Sequence, residues 1–278
     1  MHKEFLMGNA AIALGAVAAG VNVVAGYPGT PSTEVLETVA KNRPDDVYVE
    51  WSVNEKAAME LAAGAAYAGA RSMVTMKQVG LNVASDPLMS LEYVGIKGGM
   101  VILVADDPGP ISSQTEQDTR HFSRFSKLPC FDPSSAQEAY EMIQEAFEYS
   151  EEYGTPVFLR PTTRVCHGYA TIDIKDKSEY YHNKPEGFIK DSKRWVIFPK
   201  LSLQAHARIE KRNPEIARDF SPAVFANSLG AEDMVITHLI NAHQLPIGVF
   251  VLETGALHAE TLALLEQLKT RSEERRVG

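Results

Sequence analysis

Ser52-Val53-Asn54-Glu55-Lys56-Ala57-Ala58-Met59-Glu60-Leu61-Ala62-Ala63-Gly64-Ala65-Ala66-Tyr67-Ala68-Gly69-Ala70-Arg71 reads as an Ala- and Gly-rich helix over Asn54 to Ala70, set just behind a short strand, Val47 to Glu50. One carboxylate, Glu55, stands at the helix start. The small side chains Ala62, Ala63, Ala65 and Ala66 let such a helix approach a sheet or another subunit closely. Outward from this unit the same alternation continues. Gly8 to Ala19 is a helix, Val21 to Ala25 a strand, and Thr33 to Lys41 a helix with Ser32 as its expected N-cap. Ser72 to Met76 and Met100 to Ala105 are strands, Ser135 to Tyr149 an amphipathic helix, and Pro156 to Arg160 a further strand. These strands are continuous apolar runs, which places helices over both faces of a parallel sheet. The expectation is a doubly wound α/β fold, whose ligands bind beyond the carboxyl ends of the strands. Tyr27 to Thr30, Lys77 to Asn82 and Asp106 to Pro110 form turns at that edge.

The chain has 278 residues, room for one large or two modest domains at about 100 to 200 residues each. Hydrophobic residues make up 45% and charged residues 23%, an ordinary globular balance. A formal charge of -9, with no basic stripe, argues against nucleic-acid binding. The two cysteines, Cys130 and Cys166, lack ligand spacing and read as small buried apolar residues. They cannot form a four-cysteine cluster, and their scarcity suits a reducing cytoplasm. Lys3 followed by the apolar run Leu6 to Ala19 mimics a signal peptide, but Asn9 interrupts it and a strand follows directly, so it reads as part of the fold. No other stretch is apolar enough to suggest a membrane span.

Composition changes after Ile174. The charged, aromatic stretch beyond it, with Tyr180, Tyr181, Phe188, Trp195 and Phe198, reads as an extended connection packed on something. A second α/β unit is expected near Phe225, with a strand over Ile247 to Leu252 and a helix over Leu257 to Leu268. The expected division is 1–175, a connection over 176–222, an unfinished α/β domain over 223–270, and a tail over 271–278. That tail, Arg271-Ser272-Glu273-Glu274-Arg275-Arg276-Val277-Gly278, resembles translated sequencing adapter, so the natural sequence is expected to depart near Thr270.

Glu55 admits two readings. Ser52-Val53-Asn54-Glu55 has the spacing of a capping box, with Ser52 as cap and Glu55 reaching back. Alternatively, Glu55 is a catalytic carboxylate at the carboxyl edge of the sheet. The two predict a solvated and a partly desolvated side chain respectively.

Four ordered motifs favour the second reading. They are Gly26-Tyr27-Pro28-Gly29-Thr30-Pro31-Ser32-Thr33-Glu34, Glu50-Trp51-Ser52-Val53-Asn54-Glu55-Lys56, Val74 to Pro87 with Lys77-Gln78-Val79-Gly80-Leu81-Asn82 within it, and Val104-Ala105-Asp106-Asp107-Pro108-Gly109-Pro110. Together with Arg160 to Arg164 and Trp195 to Asn213, they resemble the 2-oxoacid:ferredoxin oxidoreductase family, in particular the large subunit of its indolepyruvate branch. The resemblance covers most of residues 5 to 220.

It implies that residues 1–175 form the pyrimidine-binding domain of a thiamine diphosphate enzyme. Glu55 would hydrogen-bond N1′ of the cofactor's aminopyrimidine and favour its imino tautomer. Tyr27, Pro28 and Gly29 would lie near the cofactor, and Gln78, Gly80 and Asn82 would line its pocket. Thr30 and Arg120 are the candidates to bind a substrate carboxylate, Arg120 as a bidentate fork. Read without the resemblance, these segments are ordinary turns, and Ser112 to His121 is a solvated loop.

The resemblance further implies oxidative decarboxylation of an aryl 2-oxoacid to its acyl-coenzyme A, with electrons passed to ferredoxin. It also implies a small (beta) subunit and a homo-oligomer. The family's Gly-Asp-Gly stretch for Mg²⁺ and diphosphate, and the cysteines for its [4Fe-4S] clusters, do not occur in this sequence. The isolated chain is therefore expected to bind cofactor weakly and to lack turnover. The rivals are another 2-oxoacid:ferredoxin oxidoreductase, a non-oxidative thiamine-dependent decarboxylase, and a naturally short subunit that only completes an interface.

Overall fold

The computed structural model describes residues 1–219, 223–226 and 247–250, in two compact units, 1–210 and 211–278. In the first unit, β1 (His2–Met7) and α1 (Gly8–Ala18) precede β2 (Val23–Gly26), α2 (Thr33–Asn42) and β3 (Tyr48–Trp51). Then come α3 (Glu55–Tyr67), β4 (Ser72–Lys77), α4 (Gln78–Val94), β5 (Met100–Ala105) and α5 (Thr119–Ser126). They are followed by β6 (Cys130–Phe131), α6 (Ala136–Tyr153), β7 (Val157–Leu159), α7 (Thr163–His167) and β8 (Tyr169–Ile174); α8 (Pro199–Asp219) begins in the first unit and continues past residue 210.

Six strands form one parallel sheet in the order β3-β2-β4-β5-β7-β6. Every residue of β5 is buried, because helices cover both faces there. On one face α1 packs against α2 and α6; on the other α3 packs against α4. The core on the α3 side is built from Ala58, Met59, Ala62, Ala66, Leu81, Leu88, Ile102 and Phe158. Ala62, Ala63 and Ala66 thus bring α3 down onto its own sheet, as their size permits.

Several elements were not foreseen. β1 and β8 form a separate antiparallel pair, His2 facing Ile174 and Met7 facing Tyr169. Ile172 and Ile174 are buried with Ala11, Ala136 and Tyr140, so this ribbon closes the outside of the α1 and α6 layer. Lys77 to Asn82 is not a turn: β4 passes into α4 at Gln78. The stretch expected as a connection packed on something does pack, against α1 and α3, as far as it lies within the first unit. Tyr181 N donates to Ala18 O at 2.9 Å, Gly187 N to Ala68 O at 3.0 Å, and the Trp195 ring lies 5.0 Å from that of Tyr67. It ends in α8, opened by Pro199, whose missing N–H costs nothing at a helix start.

In the second unit, β9 (Ala223–Ala226) and β10 (Ile247–Phe250) pair in parallel, as an α/β start requires. The helix expected over Leu257 to Leu268 and the tail 271–278 lie outside the described residues.

One buried charge holds the amino edge of the sheet. Arg71 donates from Nε and Nη2 to the two Glu151 oxygens at 2.9 and 2.7 Å, and from Nη1 to Ala19 O at 2.7 Å. Its guanidinium also stacks 4.4 Å from the Tyr181 ring. Removing the counter-charge strands a buried cation. Glu151→Ala should therefore lower unfolding free energy by about 3 to 5 kcal/mol, and pairing Glu151→Leu with Arg71→Met should recover most of it. Urea unfolding checks this; a single-variant cost below about 1 kcal/mol would contradict it.

Candidate functional site

The strand order fixes where a ligand can enter. From β2 the chain moves to β3 on one side of the sheet, then crosses back to β4 on the other. Connections that diverge from neighbouring strands leave a crevice at their carboxyl ends. Gly26 ends β2 there. A Cβ at this position would lie 2.3 Å from Thr75 Oγ1, so only glycine allows the two strand ends this spacing. The Thr75 hydroxyl is buried and has no hydrogen-bond partner within the protein.

Glu55 begins α3 beside this crevice. Its capping-box role does not occur, because β3 runs through Trp51 and Ser52 Oγ turns to Glu50 at 2.8 Å. Asn54 caps α3 instead, its Oδ1 accepting from Ala57 N at 2.9 Å. Glu55 is thus the first helical residue, half-buried, and among the described residues its carboxylate has no hydrogen-bonding partner. The carboxyl group rests over the first turn of α4. A Cβ at Gly80 would lie 2.5 Å from Glu55 Oε1 and 2.9 Å from Cδ. Gln78, two residues earlier, is buried; its Nε2 donates to Thr115 O at 3.2 Å while its Oε1 remains unpartnered. Glu55 and Gly80, separate in sequence, therefore meet at the first turn of α4, the turn that also holds the buried Gln78, so Gln78 and Gly80 stand on a helix rather than a turn.

The other predicted residues sit around that contact. Tyr27, Pro28 and Thr30 are exposed on the turn after β2, and Gly29 is half-buried against the Lys77 side chain, whose Cγ and Cδ would lie 3.1 Å from a Cβ there. Lys77 ties the ends of β2 and β4 together, a contact its motif position did not disclose. Ser32 precedes α2 but gives it no side-chain cap: its hydroxyl donates to Gly29 O at 3.0 Å. Asn82 is exposed on α4.

The third turn at this edge is organised by two buried aspartates. Asp106 accepts from Arg160 Nε at 2.6 Å and Thr119 N at 2.9 Å. Asp107 Oδ2 collects the amides of Ile111, Ser112 and Ser113 at 3.0, 2.9 and 3.1 Å, and its Oδ1 accepts from Thr163 Oγ1 at 2.8 Å. Burial alone would raise the Asp107 carboxyl. The hydrogen bonds from Ser112, Thr163, Ser113 and Ile111 outweigh that effect and hold it at about 2. The stretch expected as a solvated loop is thus anchored from within, and α5 starts inside it at Thr119, capped by Asp118. Arg120 already forks onto Asp118, with Nε–Oδ1 at 2.9 Å and Nη2–Oδ2 at 2.7 Å. This pairing is the main reason that the Asp118 carboxyl is held down at about 2. No contact joins Arg120 to Glu55 among the described residues.

A family profile described as pyruvate flavodoxin/ferredoxin oxidoreductase, thiamine diphosphate-binding, matches residues 14–227. The chain is 46% identical over 218 residues to the indolepyruvate oxidoreductase subunit IorA of Methanothermobacter thermautotrophicus, covering 77% of this chain and 34% of that protein. The same-named subunit of Pyrococcus horikoshii is 41% identical over 240 residues, 84% of this chain and 36% of the relative. The chain thus spans about a third of the length of these curated relatives. A solved 2-oxoglutarate:ferredoxin oxidoreductase from Magnetococcus marinus, with 2-oxoglutarate, coenzyme A and succinyl-CoA bound, matches with a TM-score of 0.66 at 15% identity. That match covers 97% of this chain and 56% of the other and is a likeness of fold.

The Asp107 cluster carries a pH signature. A carboxyl depressed in the folded state stabilises it fully above the unfolded value, near 3.9, and loses that contribution as pH falls toward about 2. The stability gap between the wild type and Asp107→Asn should stay constant above about pH 5 and close between about pH 4 and 2. Urea titrations across that range test this; a gap that persists at pH 2 would refute the assignment.

Proposed function

The chain belongs to the pyruvate flavodoxin/ferredoxin oxidoreductase, thiamine diphosphate-binding family, and we propose that Glu55 is the carboxylate that activates the cofactor. The observation that carries this reading is the placement of Glu55 against Gly80, where no side chain can intervene. The corner suits a heteroaromatic ring. Gly80 lets the Glu55 carboxylate rest on α4 with no side chain between, that carboxylate is idle, and Gln78 Oε1 is a buried acceptor without a donor. An unpartnered buried oxygen carries a desolvation cost that a ring amino group would relieve. We assign Glu55 to the protonated ring nitrogen and Gln78 and Gly80 to the ring's edge and face. The chemistry supplied by bound thiamine diphosphate is addition to a 2-oxoacid ketone and storage of the electron pair left by departing carbon dioxide.

The protein's own contribution is tautomer control, orientation and dryness. Glu55 shares a proton with the ring in one geometry, because its backbone is fixed by the Asn54 cap. The turn Tyr27–Thr30 faces outward at the same edge, and Thr30 is assigned to donate its hydroxyl to a substrate carboxylate. Arg120 could take the same role only by exchanging Asp118 for the substrate, one bidentate pair for another.

The names of the relatives support indolepyruvate, or a related aryl 2-oxoacid, as the substrate of the intact enzyme. Coenzyme A as acyl acceptor, ferredoxin as electron acceptor, a small subunit, a homo-oligomer and a cytoplasmic setting belong to the same proposal. Mg²⁺ and [4Fe-4S] clusters would be held outside this chain. A non-oxidative decarboxylase remains the enzyme alternative, separable by whether ferredoxin is reduced.

In the assembled enzyme, Glu55→Gln should lower kcat at least about a hundredfold while the subunits still associate. Turnover within about twofold of wild type would sink the assignment. Gly80→Ala should displace the Glu55 carboxyl and weaken thiamine diphosphate binding at least about tenfold, read by cofactor titration of intrinsic fluorescence.

A further inference from the structure

The turn that would carry Thr30 is a closed unit. Gly29 N donates to Thr33 Oγ1 at 3.0 Å, and Gly29 O accepts from Ser32 N at 2.9 Å and Ser32 Oγ at 3.0 Å. Pro31 and Ser32 are buried beneath it, while Tyr27, Pro28 and Thr30 are exposed above. A unit closed on itself needs separate attachments to fix its place over the crevice. Two come from the sheet, Tyr27 N to Thr75 O at 3.3 Å and the Lys77 stem against Gly29.

The third comes from outside the sheet. Asn9 is a fully buried polar residue in the first turn of α1, inside the apolar run that resembled a leader. Its Nδ2 donates to Pro31 O at 2.6 Å and to Glu34 Oε2 at 2.8 Å, which uses both hydrogens. Its Oδ1 is buried without a partner, so the side chain is not a helix cap. The base of this anchor is itself fixed. Gly8 N donates to Gly168 O at 2.9 Å, and a Cβ at Gly8 would lie 1.8 Å from Val165 O. One amide thus joins the buried floor of the turn and the start of α2 to a helix whose first residue is packed against the backbone of α7.

We propose that Asn9 is the positioning residue of the Tyr27–Ser32 turn, setting the height of Thr30 above the cofactor crevice through Pro31 O. This inference rests on the reading of the turn as the substrate-carboxylate site. Its consequence is selective. Loss of the anchor should misplace the substrate contact while Glu55, Gln78 and Gly80, on α3 and α4, keep their geometry. A buried Asn serving stability alone would instead weaken everything together.

Asn9→Ala and Glu34→Gln would be compared in the assembled enzyme with a 2-oxoacid substrate. Glu34→Gln keeps an acceptor for Asn9 and leaves the Pro31 bond intact, so it controls for the second arm of the anchor. For Asn9→Ala we expect KM for the 2-oxoacid to rise about ten- to a hundredfold, with thiamine diphosphate affinity within about twofold of wild type. Glu34→Gln should stay near wild type on both measures. Hydrogen exchange of this chain supplies a readout independent of turnover: in Asn9→Ala the amides of Tyr27, Gly29 and Ser32 should exchange faster, and those of α3 and α4 unchanged. Unchanged KM and exchange in Asn9→Ala would overturn the proposal. A parallel loss of cofactor affinity and melting temperature would overturn it too, in favour of a purely structural Asn9. A wild-type enzyme without turnover of any 2-oxoacid would instead overturn the functional reading beneath it, and the exchange measurement would still decide whether Asn9 holds the turn.

Discussion

Glu55 can stand over α4 only because Gly80 has no side chain. A carboxyl carbon 2.9 Å from the place where a Cβ would sit is closer than two carbon atoms can pack. The missing atom therefore lets the first turn of α3 slide across the first turn of α4. Gly26 does the same between the ends of β2 and β4, where a Cβ would meet Thr75. Both absences lie at the point where the strand order reverses. A doubly wound sheet opens there of its own accord, and the two glycines decide how narrow the opening is. Everything proposed for the site depends on that narrowness.

The sheet was legible because its physics is local and repetitive. Apolar runs such as Met100 to Ala105 can be satisfied only when both faces are covered, and all of β5 is buried. The family resemblance carried by the motifs was legible for the same reason, as ordered motifs at successive strand ends. α4 was hidden because Gly80, Asn82 and Pro87 all read as helix breakers. Gly80 is tolerated for its contact with Glu55, Asn82 is exposed, and Pro87 lacks an amide within a helix that tertiary packing holds in place. The β1 and β8 pair was hidden for another reason. Its strands are separated by nearly the whole first unit, and nothing in His2 to Met7 announces a partner at Tyr169 to Ile174.

The site was legible unevenly, and the divide follows burial. Glu55 and Gly80 were singled out by position and do touch, while Gln78, buried two residues before Gly80, turns its amide to Thr115. What escaped was the polar scaffolding. Asp106, Asp107, Arg160 and Asn9 are buried polar groups whose partners come from distant segments, up to 56 residues away for Thr163 and Asp107. A sequence discloses a polar residue in an apolar neighbourhood, as it did for Asn9, but not the donor or acceptor that makes its burial affordable. The same limit explains the capping-box reading. Ser52 and Glu55 have the right spacing, but β3 continues one residue further than its pattern suggested and moves the cap to Asn54.

Half-exposure of Glu55 bears on what this chain can do alone. A hydrogen bond made in water yields only about 0.5 to 1.5 kcal/mol, because the solvent offers equivalent partners. The same bond in a dry site is stronger and polarises what it touches. Tautomer control of an aminopyrimidine is a demand of the second kind. In this unit Glu55 lies at an edge where Tyr27, Trp51, Val53 and Val83 are exposed, so water reaches the carboxylate and competes for it. On the proposed assignment, the groups that would select the ring lie within the chain, whereas the dryness that would give them strength has to come from whatever surface covers the edge. This separation of geometry from dryness accounts for the expectation that the chain by itself binds cofactor weakly, even with Glu55 already seated against Gly80.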